Sequence, residues 1–343
     1  RLSGLPLSSA VGCLVDLAKD QFGSRYLQEK LESATTTSVS IITNELLPHI
    51  ISLSMDLFGN YVVQKLLHNC DNDQRLKIKN KIINSIYDLS KHMYGCRVVQ
   101  KAFEVFCDDY KFEMINELNG NVLACCYNQN ANHVIQKAIE QVKYEHVWLI
   151  VDQIKGKVSV LSNHPYACRI IQRLVCLERL SEQDSSFIRE EIFASIESLI
   201  HDQYGNYVIQ YLVEKGGDRA RHVVMEWVRG RVVQLSQHKY SSNVIEKCMM
   251  FADDEQRNFL FTEILGCDTT HPTRPHIHPL RSISSLLRDR FGNYVVQRMF
   301  EIADDRQNKM LLTHIKPHVN ILKSYPYGKY ILAKMEKIKN SNS

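Results

Sequence analysis

The chain repeats one seven-residue string, which occurs as FGNYVVQ at 58–64, YGNYVIQ at 204–210 and FGNYVVQ at 291–297. Weaker copies lie between these three. The third position of each copy serves here as its anchor, and the eight anchors are Ser24, Asn60, Cys96, Asn132, Cys168, Asn206, Ser242 and Asn293. Successive anchors lie 36, 36, 36, 36, 38, 36 and 51 residues apart. A period near 36 is typical of helical solenoids, in which each unit buries its apolar face against its neighbours.

Eight such units cover almost all of the 343 residues. The sequence therefore predicts one continuous all-α domain over 1–343, although length alone would suggest about two domains. The predicted repeats are 12–45, 46–81, 82–117, 118–153, 154–191, 192–227, 228–278 and 279–314, with an N-terminal cap remnant at 1–11 and a C-terminal cap at 315–343. The seventh repeat includes a long loop at 266–279.

Each copy predicts a helix with one apolar side. The second and third residues after the anchor are apolar or aromatic in every copy, as in Val62 and Val63, and a leucine stands seven residues before all anchors but one. At about 100° per helical residue, these two positions lie opposite the arc formed by the anchor, +1 and +4. We expect the glycine that often precedes the anchor to form the turn into this helix. An Asp, His or Asn four residues before the anchor is expected to cap it.

Three positions on the polar arc are chemically restricted. The anchor is always small and polar. The +1 residues all end in a flat group, and they are Arg25, Tyr61, Arg97, His133, Arg169, Tyr207, Asn243 and Tyr294. The +4 residues are all amides or a carboxylate, and they are Gln28, Gln64, Gln100, Gln136, Gln172, Gln210, Glu246 and Gln297.

This combination suits recognition of unstacked nucleic-acid bases. Flat side chains stack on a base, and amides or carboxylates bond to its Watson–Crick edge. The predicted base-edge contacts are therefore the anchors and the +4 residues, and the predicted stacking contacts are the +1 residues. In a single repeat, caps and solvated glutamines would explain the same residues. Eight copies in register make that explanation poor.

A basic stripe follows the triplets at +5. Its residues are Lys65, Lys101, Lys137, Arg173, Lys247 and Arg298, and Glu29 and Tyr211 depart from it. Two interpretations stay open, a solvated flank and a rail that contacts phosphates. A net charge of +4 requires any nucleic-acid attraction to be local.

Other functional classes find little support in the sequence. There is no GxSxG, P-loop, HExxH or paired-carboxylate motif, so no enzyme and no cofactor are predicted. The ten cysteines form no CxxC pair, which favours reduced thiols in the cytosol or nucleus. No metal site is predicted, even at His271, His276 and His278. No apolar run approaches a membrane span, and the N-terminus lacks the apolar run of a signal peptide.

With these eight triplets the sequence resembles the PUF (Pumilio-homology) family over essentially its full length. The resemblance implies a right-handed crescent of three-helix repeats whose concave face binds single-stranded RNA antiparallel, one base per repeat. By the family code Asn with Gln reads U, Cys or Ser with Gln reads A, and Ser with Glu reads G. Read from the last repeat to the first, this predicts 5′-UGUAUAUA-3′. It further implies a cytoplasmic, monomeric repressor that binds mRNA 3′ untranslated regions and recruits deadenylation or translational-repression machinery.

Three features depart from the regular pattern. The last partial copy has Ala333 at +4 and is interpreted as a cap, with Tyr330 as an additional stacking residue. The loop at 266–279 is either a partner docking site, as in other members of the family, or a passive insertion. Extra length near Glu182 leaves open one or two additional bases flipped out of the middle of the site. The alternative function is a protein-binding scaffold of the armadillo or HEAT type, which predicts variable residues where the triplets are fixed.

Overall fold

The computed structural model describes residues 5–177, 182–266 and 279–341, and side chains are described there except at 182–184, 279–282 and 339–341. The described residues form helices and turns and no strand, which confirms the predicted all-α class. Contacts group the chain into two compact units, residues 1–186 and 187–343. The prediction of a single domain stays a prediction.

The first unit contains the anchors of repeats 1 to 5. Its α-helices are α1 Leu14–Lys19, α2 Gln21–Glu32, α3 Thr36–Leu46, α4 Ile50–Ser54, α5 Gly59–Asn69, α6 Asn72–Ile82, α7 Ile86–Lys91, α8 Gly95–Val105, α9 Asp108–Glu117, α10 Val122–Tyr127, α11 Ala131–Gln141, α12 Tyr144–Ile154, α13 Val158–Ser162 and α14 Ala167–Val175. Short 3₁₀ helices occur at Leu7–Ser9 and Leu47–His49. Helix α15, Glu182–Ala194, crosses the boundary between the units.

The second unit contains the anchors of repeats 6 to 8. Its α-helices are α16 Ile196–His201, α17 Gly205–Lys215, α18 Gly217–Val228, α19 Val232–Ser236, α20 Ser241–Phe251, α21 Asp254–Leu265, α22 Pro279–Leu286, α23 Gly292–Ile302, α24 Asp305–Ile315, α25 Val319–Leu322 and α26 Gly328–Ser341. A 3₁₀ helix at Lys316–His318 precedes α25.

Every repeat has a short first helix, a second helix that contains the anchor, and a third helix. Within the first unit the anchor helices α2, α5, α8, α11 and α14 pack in sequence, and within the second unit α17 packs on α20 and α20 on α23. The apolar residues at +2 and +3 are buried in all eight repeats, as the sequence predicts. This packing places the +1 and +4 positions of consecutive repeats in a row within each unit.

The residue at −4 caps the anchor helix in every repeat. Its side chain accepts the backbone N–H groups of the residues at −2 and −1, for example from Asp56 to Phe58 and Gly59 at 2.9 and 2.8 Å. The eight caps are Asp20, Asp56, His92, Asn128, His164, Asp202, His238 and Asp289. The predicted capping role is confirmed.

The glycines before the anchors have a different role from the one expected. Gly59 is the first residue of α5 and its φ is not positive. A Cβ on Gly59 would lie 2.8 Å from the carbonyl oxygen of Leu53. Glycine therefore gives room for the close approach of the preceding short helix and does not serve turn geometry, although repeats 4 and 5 have alanine at this position. Repeat 7 has Ser241 here, and its hydroxyl donates to the equivalent carbonyl of Leu235 at 2.7 Å.

Candidate nucleic-acid interface

The three triplet positions lie at three different depths. All eight anchors are buried, with at most 4% of any of them exposed. All eight +1 side chains are exposed, and seven of the +4 side chains are half-buried. The sequence predicts all three on one polar arc, but it does not show that the anchor lies beneath the other two. The exposed +1 side chains thus lie where a base can stack on them, and the edge of that base must reach inward to meet the anchor and the +4 residue.

In the even-numbered repeats the anchor asparagine orients the +4 glutamine. In repeat 4, Gln136 donates from Nε2 to Asn132 Oδ1 at 2.9 Å, while Asn132 donates to the carbonyls of Asn128 and Gln129. The same Gln-to-Asn bond measures 3.0 Å in repeat 2, 2.8 Å in repeat 6 and 2.9 Å in repeat 8. The amide of Asn132 is engaged internally, so the glutamine is the residue that offers its outer atoms to a base.

In the odd-numbered repeats the short anchor cannot hold the +4 side chain in this way. Gln28 and Gln100 instead donate to the backbone carbonyls of their own anchors, Ser24 and Cys96, at 3.2 and 3.0 Å. In repeat 5, Gln172 accepts a hydrogen bond from Arg169 at 3.3 Å, and its buried Nε2 has no hydrogen-bond partner in the described part of the chain. The odd repeats therefore orient their reading side chains less uniformly than the even ones.

Repeat 7 has a carboxylate at +4. Burial raises the pKa of the Glu246 carboxyl above its ordinary value, and the Arg298 guanidinium of the next repeat opposes this rise. Arg298 Nη2 lies 3.4 Å from Glu246 Oε2. An ionised carboxylate accepts hydrogen bonds only, which matches the adjacent N1–H and N2–H₂ donors of guanine.

Clefts open between neighbouring +1 side chains. One of about 300 Å³ lies between Arg25 and Tyr61 and is lined below by Ser24 and Gln28. Another of about 300 Å³ in the second unit is lined by Tyr207, Asn243 and Glu246, among others. Each cleft thus has flat groups at its sides and hydrogen-bonding groups at its base, which suits an inserted planar ring.

The ring of His133 fits the same role. Burial, together with the nearby Arg97 guanidinium, lowers the pKa of His133, so the imidazole is neutral near pH 7. The anchor thiol of Cys96 is also neutral there, because burial raises its pKa. A neutral thiol is a poor nucleophile, which agrees with a contact role for Cys96.

The basic stripe is paired with glutamates that sequence reasoning missed. All six predicted rail residues form ion pairs, and these are Lys65–Glu32, Lys101–Glu104, Lys137–Glu104, Arg173–Glu140, Lys247–Glu214 and Arg298–Glu246. Four of the six join a +5 cation to the +8 glutamate of the preceding repeat. Glutamate recurs at +8 in the sequence, and this recurrence could have indicated the ion pairs. The phosphate role of the stripe stays a prediction.

Tyr330 lies at the start of α26, near the C-terminal end of the described chain, and is 55% exposed. Lys334 of the same helix continues the ion-pair pattern, since its Nζ lies 2.5 Å from Glu301. Tyr330 therefore occupies the position of a further +1 residue, and its stacking role stays a prediction.

The described residues hold no group of three or more histidine, cysteine or acidic side chains arranged for a metal. His271, His276 and His278, and the loop from 267 to 278, lie outside the described residues. No helix in the described part of the chain is both long and apolar enough to span a bilayer.

Comparison with known families accounts for the repeat. The family model described as "Pumilio-family RNA binding repeat" matches eight times, at 13–47, 49–83, 85–118, 121–155, 157–193, 195–226, 231–265 and 282–316. The chain belongs to the PUF family. Among curated members, Pumilio homolog 4 of Arabidopsis thaliana is 41% identical over 152 residues, 44% of this chain and 14% of that protein. A Pumilio domain-containing protein of Schizosaccharomyces pombe is 32% identical over 176 residues, 51% of this chain and 24% of that protein.

Solved structures of PUF proteins match along nearly the full chain. The Puf3 RNA binding domain bound to a Cox17 RNA 3′ UTR recognition sequence aligns with a TM-score of 0.85 and 33% identity, covering 99% of this chain and 97% of that one. PUF-8 in complex with PBE-RNA gives 0.85 and 33%, covering 98% and 95%. The chain thus spans about a quarter or less of the two curated relatives above, and almost all of these two RNA-bound PUF chains.

Proposed function

We propose that this chain binds single-stranded RNA sequence-specifically, one base per repeat, with 5′-UGUAUAUA-3′ as its preferred site. The observation that carries the proposal is the alternation of two triplet geometries along eight repeats, each with an exposed flat side chain above a half-buried or buried hydrogen-bonding one. The RNA in the matched Puf3 and PUF-8 structures supports the ligand class.

The base assignment follows from the chemistry of each triplet. An Asn-oriented glutamine with mixed donors and acceptors suits uracil, and a short Ser or Cys leaves room for the wider edge of adenine. Glu246 suits guanine at the second base. The flat +1 side chains add stacking energy without sequence preference, about 1–3 kcal/mol per aromatic contact.

The sharpest test is the guanine position. Glu246→Gln is expected to reduce the preference for UGUAUAUA over UAUAUAUA by about 1–3 kcal/mol, since it replaces an acceptor-only group by a mixed one. Fluorescence-anisotropy titrations with both RNAs at one salt concentration measure this. Gln64→Glu is the matched control, because it adds a carboxylate at a position assigned to U. Wild-type protein that bound both RNAs equally would contradict the base code.

We further propose that the bound sites lie in mRNA 3′ untranslated regions, that binding occurs in the cytoplasm, and that the chain acts there as a monomeric repressor which recruits deadenylation or translational-repression machinery. The segment 266–279 is the proposed docking site for that machinery. Deletion of 268–279 should leave RNA affinity intact and weaken repression of a reporter that carries the site. Unchanged repression would remove the docking role. No catalytic role is proposed.

A further inference from the structure

Repeat 7 contacts repeat 8 through its +4 residue, whereas the other cross-repeat ion pairs of the basic stripe in the described part of the chain join a +5 cation to a +8 glutamate. In repeats 2, 4, 5 and 7, the +5 cation pairs with the +8 glutamate of the repeat before it. In repeat 8 that partner is missing, because the +8 residue of repeat 7 is Met250. Arg298 instead pairs with Glu246, which is the +4 residue itself.

Arg298 is held from its other side as well. Its Nη1 pairs with Glu301 one turn further along α23, and Glu301 pairs with Lys334 at 2.5 Å. Lys334 in turn donates to the backbone carbonyl of Gln297 at 3.0 Å. This network ties the guanidinium to the end of the second unit. It also balances the two carboxylates, Glu246 and Glu301, with two cations.

Glu246 needs such a partner to select guanine. Its carboxyl is mostly buried, with 21% of the side chain exposed, and burial favours the neutral acid. A protonated carboxyl has one donor and one acceptor, as an amide has, and so would suit adenine as a glutamine does. Only the ionised form offers two acceptors to the paired donors of guanine.

We propose that Arg298 is a positioning residue that holds Glu246 as an oriented, charged acceptor and thereby sets the preference of repeat 7 for guanine over adenine. The inference rests on the proposed function. Arg298 acts through Glu246. Its removal should therefore change the ratio of the affinities for RNA with guanine and RNA with adenine at the second base, and not only weaken both.

The charged groups around Glu246 allow the guanine-to-adenine affinity ratio to be followed as a function of pH. They are Arg298 and Glu301 from α23, and Lys247 from α20, which lines the same cleft and pairs with Glu214 of α17. Among the described residues that line the cleft at Glu246, none is a histidine. A change in the guanine-to-adenine ratio between pH 8 and 5.5 therefore reports on the carboxyl of Glu246.

The experiment measures the dissociation constants of labelled UGUAUAUA and UAUAUAUA from pH 8 to 5.5. The proteins are the wild type, Arg298→Met, Arg298→Gln and Arg298→Lys. We expect the two uncharged variants to lose about tenfold of the guanine preference at pH 7, about what one hydrogen bond to a charged group contributes. Their remaining preference should fall at a higher pH than in the wild type. Arg298→Lys should retain most of the preference.

Arg173→Met is the matched control, because Arg173 is also a +5 arginine but pairs with Glu140, which is not a reading residue. This variant should weaken the binding of both RNAs equally and leave the guanine-to-adenine affinity ratio unchanged. In a Glu246→Gln background, Arg298→Met should not change the ratio further. An unchanged ratio and pH profile in both uncharged Arg298 variants would overturn the inference while the base code stands. If the wild type instead bound both RNAs equally, the proposed base code itself would be contradicted.

Discussion

The even-numbered and odd-numbered repeats share a fold but hold their reading side chains differently. In repeats 2, 4, 6 and 8 an asparagine anchor receives the glutamine through a side-chain bond of 2.8–3.0 Å. In repeats 1, 3, 5 and 7 the anchor is serine or cysteine. There the +4 side chain turns to the backbone, as in Gln28, or to an arginine, as in Glu246. The difference indicates that one buried atom, the anchor Asn Oδ1, determines the orientation of the +4 glutamine above it.

The largest expected effect comes from converting an even repeat into an odd one. Asn206→Ser with Gln210→Glu copies the anchor and +4 residues of repeat 7 into repeat 6. We expect the preferred third base to change from U to G. The wild type should bind the U-containing RNA more tightly by about 1–3 kcal/mol, and the double variant should bind the G-containing RNA more tightly by a similar amount. Competition titrations with UGUAUAUA and UGGAUAUA measure it.

The single change Asn206→Ser is the control for this conversion. It reproduces the Ser and Gln pair of repeat 1 and should favour adenine at the third base. A double variant that still preferred U would show that the anchor and +4 residues do not determine the base.

The second effect concerns stability. Asn132→Ala removes a buried amide with three hydrogen bonds at 2.9 Å, and should lower the free energy of unfolding by about 1–2 kcal/mol. Ser24→Ala removes one bond of 3.2 Å from its hydroxyl to Gln21 and should cost about 0.5 kcal/mol. Urea midpoints of the two variants compare them. Equal losses would mean that the asparagine network does not stabilise the even repeats.

Sequence reasoning reached the repeat, the buried +2 and +3 positions and the caps because each depends on neighbours within one repeat. It did not reach the depth of the anchor, since helical angles give the direction of a side chain but not what covers it. It also missed the four ion pairs of the basic stripe that join +5 of one repeat to +8 of the preceding one, such as Lys247 with Glu214, because the two partners lie in different repeats. A period shows that repeats stack, but not which of their positions meet.

A smaller effect is expected from the basic stripe. Lys137 lies between Glu104 at 3.0 Å and Glu140 at 3.5 Å, and both pairs are partly exposed. Lys137→Met should change the free energy of unfolding by less than about 1 kcal/mol.

If Lys137 also contacts a phosphate, the slope of log affinity against log salt concentration should fall in magnitude by about 0.7 in Lys137→Met, equally for all RNA sequences. Glu104→Gln, which frees positive charge, should strengthen binding. A sequence-dependent loss in Lys137→Met would contradict a phosphate role.

The smallest expected effect separates the repeats by their caps. Repeats 3, 5 and 7 use histidine at −4, while the even repeats use Asp or Asn. His164 and His238 accept backbone N–H groups through Nδ1, which only the unprotonated nitrogen can do. Burial lowers the pKa of both histidines, and nearby His201 lowers that of His238 further.

Histidines in the unfolded chain take up protons near pH 6.5, before the folded ones do. The stability from these caps is therefore fully present above about pH 6.5 and is lost as the pH falls from there toward the lower folded pKa values. His164→Asp with His238→Asp copies the caps of repeats 2 and 6, in which a carboxyl group keeps an acceptor oxygen in either protonation state. The difference in urea midpoint between pH 7.5 and 5.5 should be smaller in this variant than in the wild type. His222→Asp, at an exposed position, adds a charge without touching a cap and should leave the difference as it was. An identical pH dependence in the cap variant and the wild type would show that the histidine caps of repeats 5 and 7 do not make stability depend on pH.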